Sequence, residues 1–457
     1  MQQVDSGIHN DRPGQSVTSF WQRLQIILQL ALPITAGMLS QSLINLVDTA
    51  LIGRLGEEAL AAVAAANYAV FVCFAMISGL SVAVQSRVAR YCGAEQWAKV
   101  MNPVSKGVRS AFLVGIPVTL LLFWATPFII KMFYTQPEIT ALAEDYFRLR
   151  ILSLPAGMML LTYRGFWNGC QHPFIYLRTL VTVHVLNALL SYVLIFGLGP
   201  VPPFGLTGAA AGTVIAMYTG VLVNTLRVKL FATERQIPLR SPSDVRATPL
   251  YQQAWPDSAQ QTLFAVGTAL LFWLIARIGS EAMAVSHVLV TVSLLLILPG
   301  IGLGMAATTL INQSLGAGNP KEAYRWGMEI VAVAAVVFTL MSLLLLITPE
   351  LVLALFIPVT SPLIDYGQLS LQLVGVGVIC ESGALVLTQA LLGTGCNKTV
   401  LHIRIFTLWL VALPITGIGI VWLGFGLTEV WVIQILQRLL MSLLFLRVWR
   451  SRRWAGD

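Results

Sequence analysis

The sequence is poor in charged residues. Only 11% of its 457 residues are Asp, Glu, Lys or Arg, against roughly 25% in an ordinary soluble domain. Hydrophobic residues make up 57% of the chain, and its mean hydropathy is +0.79. This composition excludes a soluble enzyme, a nucleic-acid-binding protein and a disordered scaffold. It predicts an integral membrane protein, with room for about a dozen helices of roughly 20 residues each.

Motifs for catalysis and resident metal binding are also missing. The five cysteines form neither a CxxC motif nor a Cys/His cluster with zinc spacing. None of the five histidines lies in an HExxH motif, and the chain contains neither GxSxG nor a paired-acid motif. We therefore expect a protein that is not an enzyme and that carries no cofactor or resident metal.

Stretches without charge predict an all-α fold with twelve transmembrane helices. A GPVPPFG segment at 199–205 divides the longest stretch into two helices. The predicted spans are 24–47, 59–86, 110–130, 151–163, two within 179–226, 258–276, 282–315, 330–349, 366–397, 405–424 and 430–446. If the N-terminus is cytoplasmic, most Lys and Arg residues fall on the cytoplasmic side, so we expect both termini to lie there. This distribution explains the net charge of +8 without any nucleic acid.

The two halves of the chain resemble each other. Gly93 in the first half matches Gly316 in the second, and GLS at 79–81 matches GLG at 302–304 with the same separation along the sequence. Two six-helix repeats of the same topology are typical of alternating-access transporters. The predicted parts are an N-terminal tail (1–23), an N-lobe (24–226), an inter-lobe loop (227–246), a C-lobe (247–446) and a C-terminal tail (447–457).

Acids within predicted membrane helices are candidate functional residues, because burying a charge in a bilayer is costly. Asp48 follows Gln41 by seven residues, which places both on one helical face, and Asn45 lies close to that stripe. A carboxylate beside amides can bind a proton or a small cation, although Asp48 could also simply reach the external interface. Glu381 is the only charged residue between Asp365 and Lys398, so it is either an isolated proton site or a neutral packing residue.

Other polar and kink-forming residues in the spans allow more than one interpretation. Asp257 is expected at the membrane interface, and Arg164 is either a snorkelling residue or a partner for an acid. His184 is expected to be a hydrogen-bonded core residue. Pro33 lies fifteen residues before Asp48 and interrupts the helical hydrogen bonds, so it is a candidate hinge.

Three segments resemble the multidrug and toxic compound extrusion (MATE) transporters. They are LPITAGMLSQSLINLVDTALIGRLGEEALAAV (32–63), SGLSVAVQSRVARYCGAEQ (78–96) and AVSHVLVTVSLLLILPGIGLGMAATTLINQSLGAGNPKEA (284–323). The resemblance extends over nearly the whole chain. It implies an antiporter in the bacterial inner membrane that exports amphipathic, often cationic organic compounds in exchange for protons or sodium. It also implies a monomer that acts on a small-molecule substrate within the lipid bilayer.

The resemblance also implies roles for particular residues. Asp48 matches the acid of the family's first helix, Gln41 its neighbour and Pro33 its bending proline. The other residues assigned to the cation or proton site are Asn187, Ser191, Thr213 and Glu381, and sodium could bind at Asp48 and Asn187.

Two departures from the family pattern bear on the coupling mechanism. Ser191 stands where some members have Asp or Asn, and Phe264 stands where NorM-type members have a glutamate. These departures favour coupling through the N-lobe and the DinF-type branch. The alternative is a lipid-linked oligosaccharide flippase of the same superfamily. Such flippases usually have a cationic central cavity. The charges predicted within the membrane here are instead mainly acidic, and Arg164 is the one cation that opposes them, which argues against the flippase.

Overall fold

The computed structural model describes residues 19–133, 136–239, 250–358 and 360–455. These residues form helices and connecting turns, with an isolated bridge between Leu198 and Val201 but no strand among them. The N-lobe helices are α1 (Phe20–Gly53), α2 (Glu57–Ile77), α3 (Gly79–Gly93), α4 (Met101–Ser110), α5 (Ile116–Lys131), α6 (Pro137–Ile151), α7 (Leu154–Gly169), α8 (Pro173–Phe196) and α9 (Gly205–Glu234). The C-lobe helices are α10 (Leu250–Ile275), α11 (Ser280–Gly316), α12 (Pro320–Ile347), α13 (Pro349–Ala354), α14 (Leu363–Thr394), α15 (Asn397–Arg404), α16 (Leu413–Trp422) and α17 (Leu427–Arg450).

Several crossings consist of two consecutive helices. Helices α4 and α5 are joined by a π-helical segment, Ala111–Gly115, and α15 and α16 by another, Ile405–Ala412. Eleven helical segments of the described chain are long and apolar enough to cross a membrane. The pair α6 and α7 lies between two of these segments and completes twelve crossings, so the predicted all-α fold is confirmed.

The fourth crossing differs most from its predicted bounds. The predicted span 151–163 is part of a helix pair that begins at Pro137 and ends at Gly169. Arg148 pairs with Glu144 one turn away, at 3.3 Å. Because such pairs and the neighbouring N-lobe helices accommodate the charges of α6, the absence of charge is a poor criterion for this crossing.

Three further bounds extend beyond the predicted ones. Helix α1 continues past residue 47 to Gly53, so Asp48 lies within the helix, as expected for a membrane acid. Helix α9 continues to Glu234 and takes up part of the predicted inter-lobe loop, of which residues 240–246 lie outside the described chain. Helix α17 continues to Arg450, and the buried Trp454 stacks on Trp449, so this part of the predicted tail is docked on the C-lobe.

The lobes meet along α1, α3, α10 and α11. Ile27, Leu30 and Ala31 of α1 and Val82 of α3 belong to the same buried apolar cluster as the C-lobe helices. The part of α1 from Gln41 onward is mostly exposed. The contact between the lobes therefore lies toward the N-terminal end of α1, away from Asp48.

Equivalent residues of the two repeats make equivalent contacts at this interface. A Cβ on Gly93 would overlap the backbone of Gln313, and a Cβ on Gly316 would overlap the backbone of Arg90. Gln313 lies as far after Arg90 in the sequence as Gly316 lies after Gly93, so the two contacts are related by the repeat. This reciprocal packing is what a pseudo-two-fold axis between the lobes requires, and it agrees with the repeat inferred from the sequence.

Candidate functional site

The acid of the first helix is bonded to the fifth crossing. Asp48 on α1 accepts from the side-chain amide of Asn187 on α8, with Nδ2 at 3.1 Å from Oδ1 and at 3.0 Å from Oδ2. Ser191, one turn further along α8, donates to Oδ1 of Asn187 at 3.3 Å. Asn187 and Ser191 are buried, while Asp48 is partly exposed. Asp48, Asn187 and Ser191, three of the residues predicted for the ion site, thus form one partly exposed polar group between α1 and α8, which we call the Asp48 cleft.

A second polar network begins two turns earlier on α1. Gln41 donates to Oδ1 of Asn45 at 3.2 Å, and its Oε1 lies 3.2 Å from Nε2 of His184 on α8. The other ring nitrogen of His184 lies 2.7 Å from the hydroxyl of Ser40. His184 is therefore a hydrogen-bonded buried residue, as expected, but it belongs to the polar lining that links α1 to α8.

Helix α6 brings a cation to this cleft. Arg150 lies close enough to interact electrostatically with both Asp48 and Tyr146, and it donates to Oγ of Ser153 at 2.6 Å. The hydroxyl of Tyr146 donates to Oδ1 of Asn67 on α2 at 3.1 Å. Sequence reasoning missed Arg150, because its charge suggested a loop. The i, i+4 spacing of Arg148 with Glu144 was the available signal that α6 is helical.

Two implied residues are not bonded to the acid: Thr213 lies beside the cleft, whereas Pro33 lies about 22 Å from Asp48 along α1. The Thr213 hydroxyl donates to the carbonyl of Ala209 in its own helix, at 3.0 Å. Its neighbour Gly212 lets α9 pack closely against α8, because a Cβ there would lie 2.9 Å from Oγ of Ser191. Pro33 is buried within α1, and the helix is continuous across it.

Glu381 lies in the other lobe, where it is not isolated. Oε2 of Glu381 on α14 lies 3.1 Å from Nη1 of Arg438 on α17, and the two side chains are only 16% and 15% exposed. Arg404 interacts electrostatically with Glu381 and also with Asp257. The expectation of a lone membrane acid at this position is therefore wrong. A charge-free sequence window cannot reveal a partner that comes from a different helix.

Buried arginines are more numerous than the sequence suggested. Arg164 interacts electrostatically with Asp257 and donates from Nε to Oγ of Ser81 at 2.9 Å. Asp257 is 4% exposed and so lies within the protein instead of at the interface. Arg150 and Arg438 likewise have acidic neighbours, Asp48 and Glu381. Arg164 is thus not the only embedded cation, but these arginines are balanced by acids.

The cleft at Asp48 has the chemistry of a site for a proton or a small hard cation. Carboxylate, amide and hydroxyl oxygens are the ligands that such cations prefer. Asn187 directs its amide nitrogen at the carboxylate, which is the orientation that stabilises a charged acid. Within the described part of the chain, no group of three or more His, Cys, Asp or Glu side chains could hold a metal ion. Two surface grooves of about 350 and 450 Å³ lie elsewhere, and neither is lined by Asp48, Asn187 or Ser191.

Comparison with known families identifies both repeats. A sequence profile of the MatE family matches residues 33–193 and 256–418, which together cover more than half of the chain. The second matched segment begins as far after the first as Gly316 lies after Gly93. The two matched segments are therefore separated along the sequence by the same distance as the two glycines at the lobe interface.

Similar proteins carry multidrug-resistance names. The chain is 28% identical over 423 residues to a probable multidrug resistance protein NorM of Deinococcus radiodurans, covering 89% of this chain and 92% of that protein. It is 26% identical over 456 residues to a protein of the same description from Bradyrhizobium diazoefficiens, covering 93% and 95%. These names give no support to the DinF-type branch expected from the sequence.

Solved structures share the fold. An outward-facing multidrug resistance MATE family transporter of the MOP superfamily superposes with a TM-score of 0.85 at 21% identity, covering 95% of this chain and 97% of that chain. A MOP superfamily transporter from Pyrococcus furiosus superposes with a TM-score of 0.83 at 22% identity, covering 94% and 96%. A MATE structure in the bent conformation superposes with a TM-score of 0.83 at 21% identity, covering 94% of this chain and 95% of that chain.

Proposed function

Since the chain belongs to the MatE family, we propose that it is a secondary antiporter that exports amphipathic, often cationic organic compounds. Protons or sodium ions entering the cell drive the export. The relatives described as multidrug resistance proteins support this class of cargo. They do not favour the lipid-linked oligosaccharide flippase.

The observation that carries the proposal is the pairing of Asp48 with Asn187. It places an acid in a partly exposed cleft of the N-lobe, with an amide and a hydroxyl as further ligands. In the proposed mechanism, Asp48 binds the coupling ion from the external side and releases it to the cytoplasm. The ion and the cargo bind in turn, because binding of the ion changes the charge and the hydrogen bonding of the cleft in which the cargo binds.

The arrangement of the lobes defines the proposed state. The excess of basic residues predicts that the N-terminal end of α1 is cytoplasmic, so in this proposal the lobes are in contact at the cytoplasmic face. The structure then corresponds to an outward-facing state, in which Asp48 is accessible from outside. Transport requires the lobes to separate along α3 and α11 and to close over Asp48.

Vesicle transport with separately imposed gradients tests this proposal. The purified protein is reconstituted into liposomes, and movement of ethidium is followed by fluorescence under a pH gradient, a sodium gradient or neither. We expect one gradient to drive accumulation, and Asp48→Asn to abolish it. Ethidium movement that is independent of both gradients would contradict the antiport mechanism.

A further inference from the structure

The cytoplasmic end of α1 carries a buried cation that is bonded to the opposite lobe. Arg23 is 1% exposed, although it lies only three residues from the beginning of the helix. Its Nη1 donates to Glu322 and its Nε donates to Glu329, both on α12 of the C-lobe. The guanidinium also lies over the Trp326 ring, 3.7 Å from the ring centroid.

The partners of Arg23 are held in place by their own lobe. Asn319 caps α12 by accepting from the backbone nitrogen of Glu322 at 3.1 Å. Arg325 donates from Nε to the second oxygen of Glu329 at 2.8 Å. The two acids therefore form a preorganised acceptor for one guanidinium, and the charges of the group sum to zero.

We propose that Arg23 is the state-determining residue of the cytoplasmic gate, which it holds closed by bridging the two lobes. The inference rests on the proposed alternating access, since it assigns a residue to the step that closes the cytoplasmic side. The charge-assisted hydrogen bonds of Arg23 to two carboxylates and its contact with an aromatic ring stabilise the closed state more than neutral contacts would.

The position of the group at the helix ends makes the gate reversible. Glu322 and Glu329 are 27% and 19% exposed, so water reaches the acids even when the lobes are closed. When the lobes separate, water can solvate all three charged groups, which offsets the loss of their mutual contacts. A fully buried ion pair in the membrane interior would not have this compensation.

A thiol within the closed interface reports on the gate without any cargo. Thr309 on α11 is 1% exposed, accepts from Gln85 at 2.9 Å and donates to the carbonyl of Asn168 at 3.0 Å. In a variant whose native cysteines are replaced by alanine, Thr309→Cys should react with a water-soluble maleimide only when the lobes separate. The alkylation rate then measures the population of the cytoplasm-open state.

We expect Arg23→Gln to raise this rate about tenfold or more, because charge-assisted hydrogen bonds across the interface are lost. Arg23→Lys keeps the positive charge and should raise the rate less than Arg23→Gln does. Lys321→Gln is the matched control, because Lys321 is an exposed cation at the start of the same helix and is not a member of the bonded group. It should leave the rate unchanged.

Two results would overturn the proposal: an unchanged rate in Arg23→Gln, or an equal rise in Lys321→Gln. Wild-type elution in size-exclusion chromatography and the smaller rise in Arg23→Lys distinguish gate opening from unfolding. Failure of the antiport proposal would instead appear as gradient-independent ethidium movement in the parent protein. The alkylation rate does not depend on that result.

Discussion

Gly93 and Gly316 occupy equivalent positions in the two repeats, and each abuts the backbone of the other's helix. Neither site has room for a side chain, because a Cβ would overlap Gln313 in one case and Arg90 in the other. The two glycines therefore allow α3 and α11 to approach closely at the contact between the lobes. Close approach of helix backbones in a membrane depends on such small residues.

Enlarging one of these glycines should prevent closure. We expect Gly316→Val to cost the closed state about 1–3 kcal/mol through overpacking, and therefore to shift the population toward the cytoplasm-open state by about fivefold or more. The alkylation rate of Thr309→Cys measures this shift. Gly383→Ala is a suitable control, because a Cβ there meets atoms only at ordinary contact distances of 3.8 and 3.9 Å. An unaltered rate in Gly316→Val would show that the glycine contact does not limit closure.

Replacing the N-lobe acid should uncouple transport without unfolding the protein. Asp48→Asn removes a charge that is costly in the membrane and keeps a group of the same size, so we expect normal expression and elution. Export driven by either ion gradient should fall to background. Ethidium accumulation in reconstituted vesicles measures this, with Asn45→Asp as a control for acid placement one turn away. Retained coupling in Asp48→Asn would exclude this acid as the ion site.

Glu381 should affect stability more than coupling, because it is the partner of Arg438. Glu381→Gln leaves a largely buried arginine without its acid, which we expect to lower the free energy of unfolding by about 3 kcal/mol. The double variant Glu381→Gln with Arg438→Met should recover most of that loss. Thermal unfolding in detergent measures both. If Glu381→Gln instead abolishes coupling at full stability while Asp48→Asn does not, the C-lobe carries the ion.

Pro33 should influence transport if bending of α1 accompanies ion binding. Its ring removes the hydrogen bond to the carbonyl of Gln29, and Pro33→Ala restores it. Bending then costs more by on the order of 1 kcal/mol, which would lower export several-fold while cargo affinity is retained. Export rate and binding are measured on the same preparation. Pro256→Ala is the matched control, since Pro256 is the equivalent proline of the second repeat and α10 carries no counterpart of Asp48 at the corresponding position. Unchanged export in Pro33→Ala would remove the hinge from the mechanism.

The orientation can be tested at the connection between the lobes. The excess of basic residues predicts that both termini and the 227–246 connection are cytoplasmic. A cysteine at Ser241, which lies outside the described residues, should react with an impermeant maleimide only in inverted vesicles or permeabilised cells. Labelling of intact cells would reverse the assignment, and with it the outward-facing interpretation.

The sequence by itself determined the class of fold and singled out Asp48 as the candidate acid. Hydrophobic runs reveal membrane helices because the bilayer imposes a minimum length of apolar chain. The constant separation of matching segments, such as those around Gly93 and Gly316, revealed the repeat, and the VDT segment pointed to Asp48. These features are local or periodic, so they can be found without knowing which helices are neighbours.

The tertiary structure decided which charges have partners. Arg150, Arg438 and Arg23 each acquire their acids from helices distant in sequence, and no spacing rule relates the members of these pairs. Helix packing alone brings Glu381 to Arg438 in the C-lobe, whereas the Asp48 cleft lies in the N-lobe. The same packing sets the closed contact between the lobes, because contacts between the repeats depend on how the two halves are arranged and not on the pattern within either one.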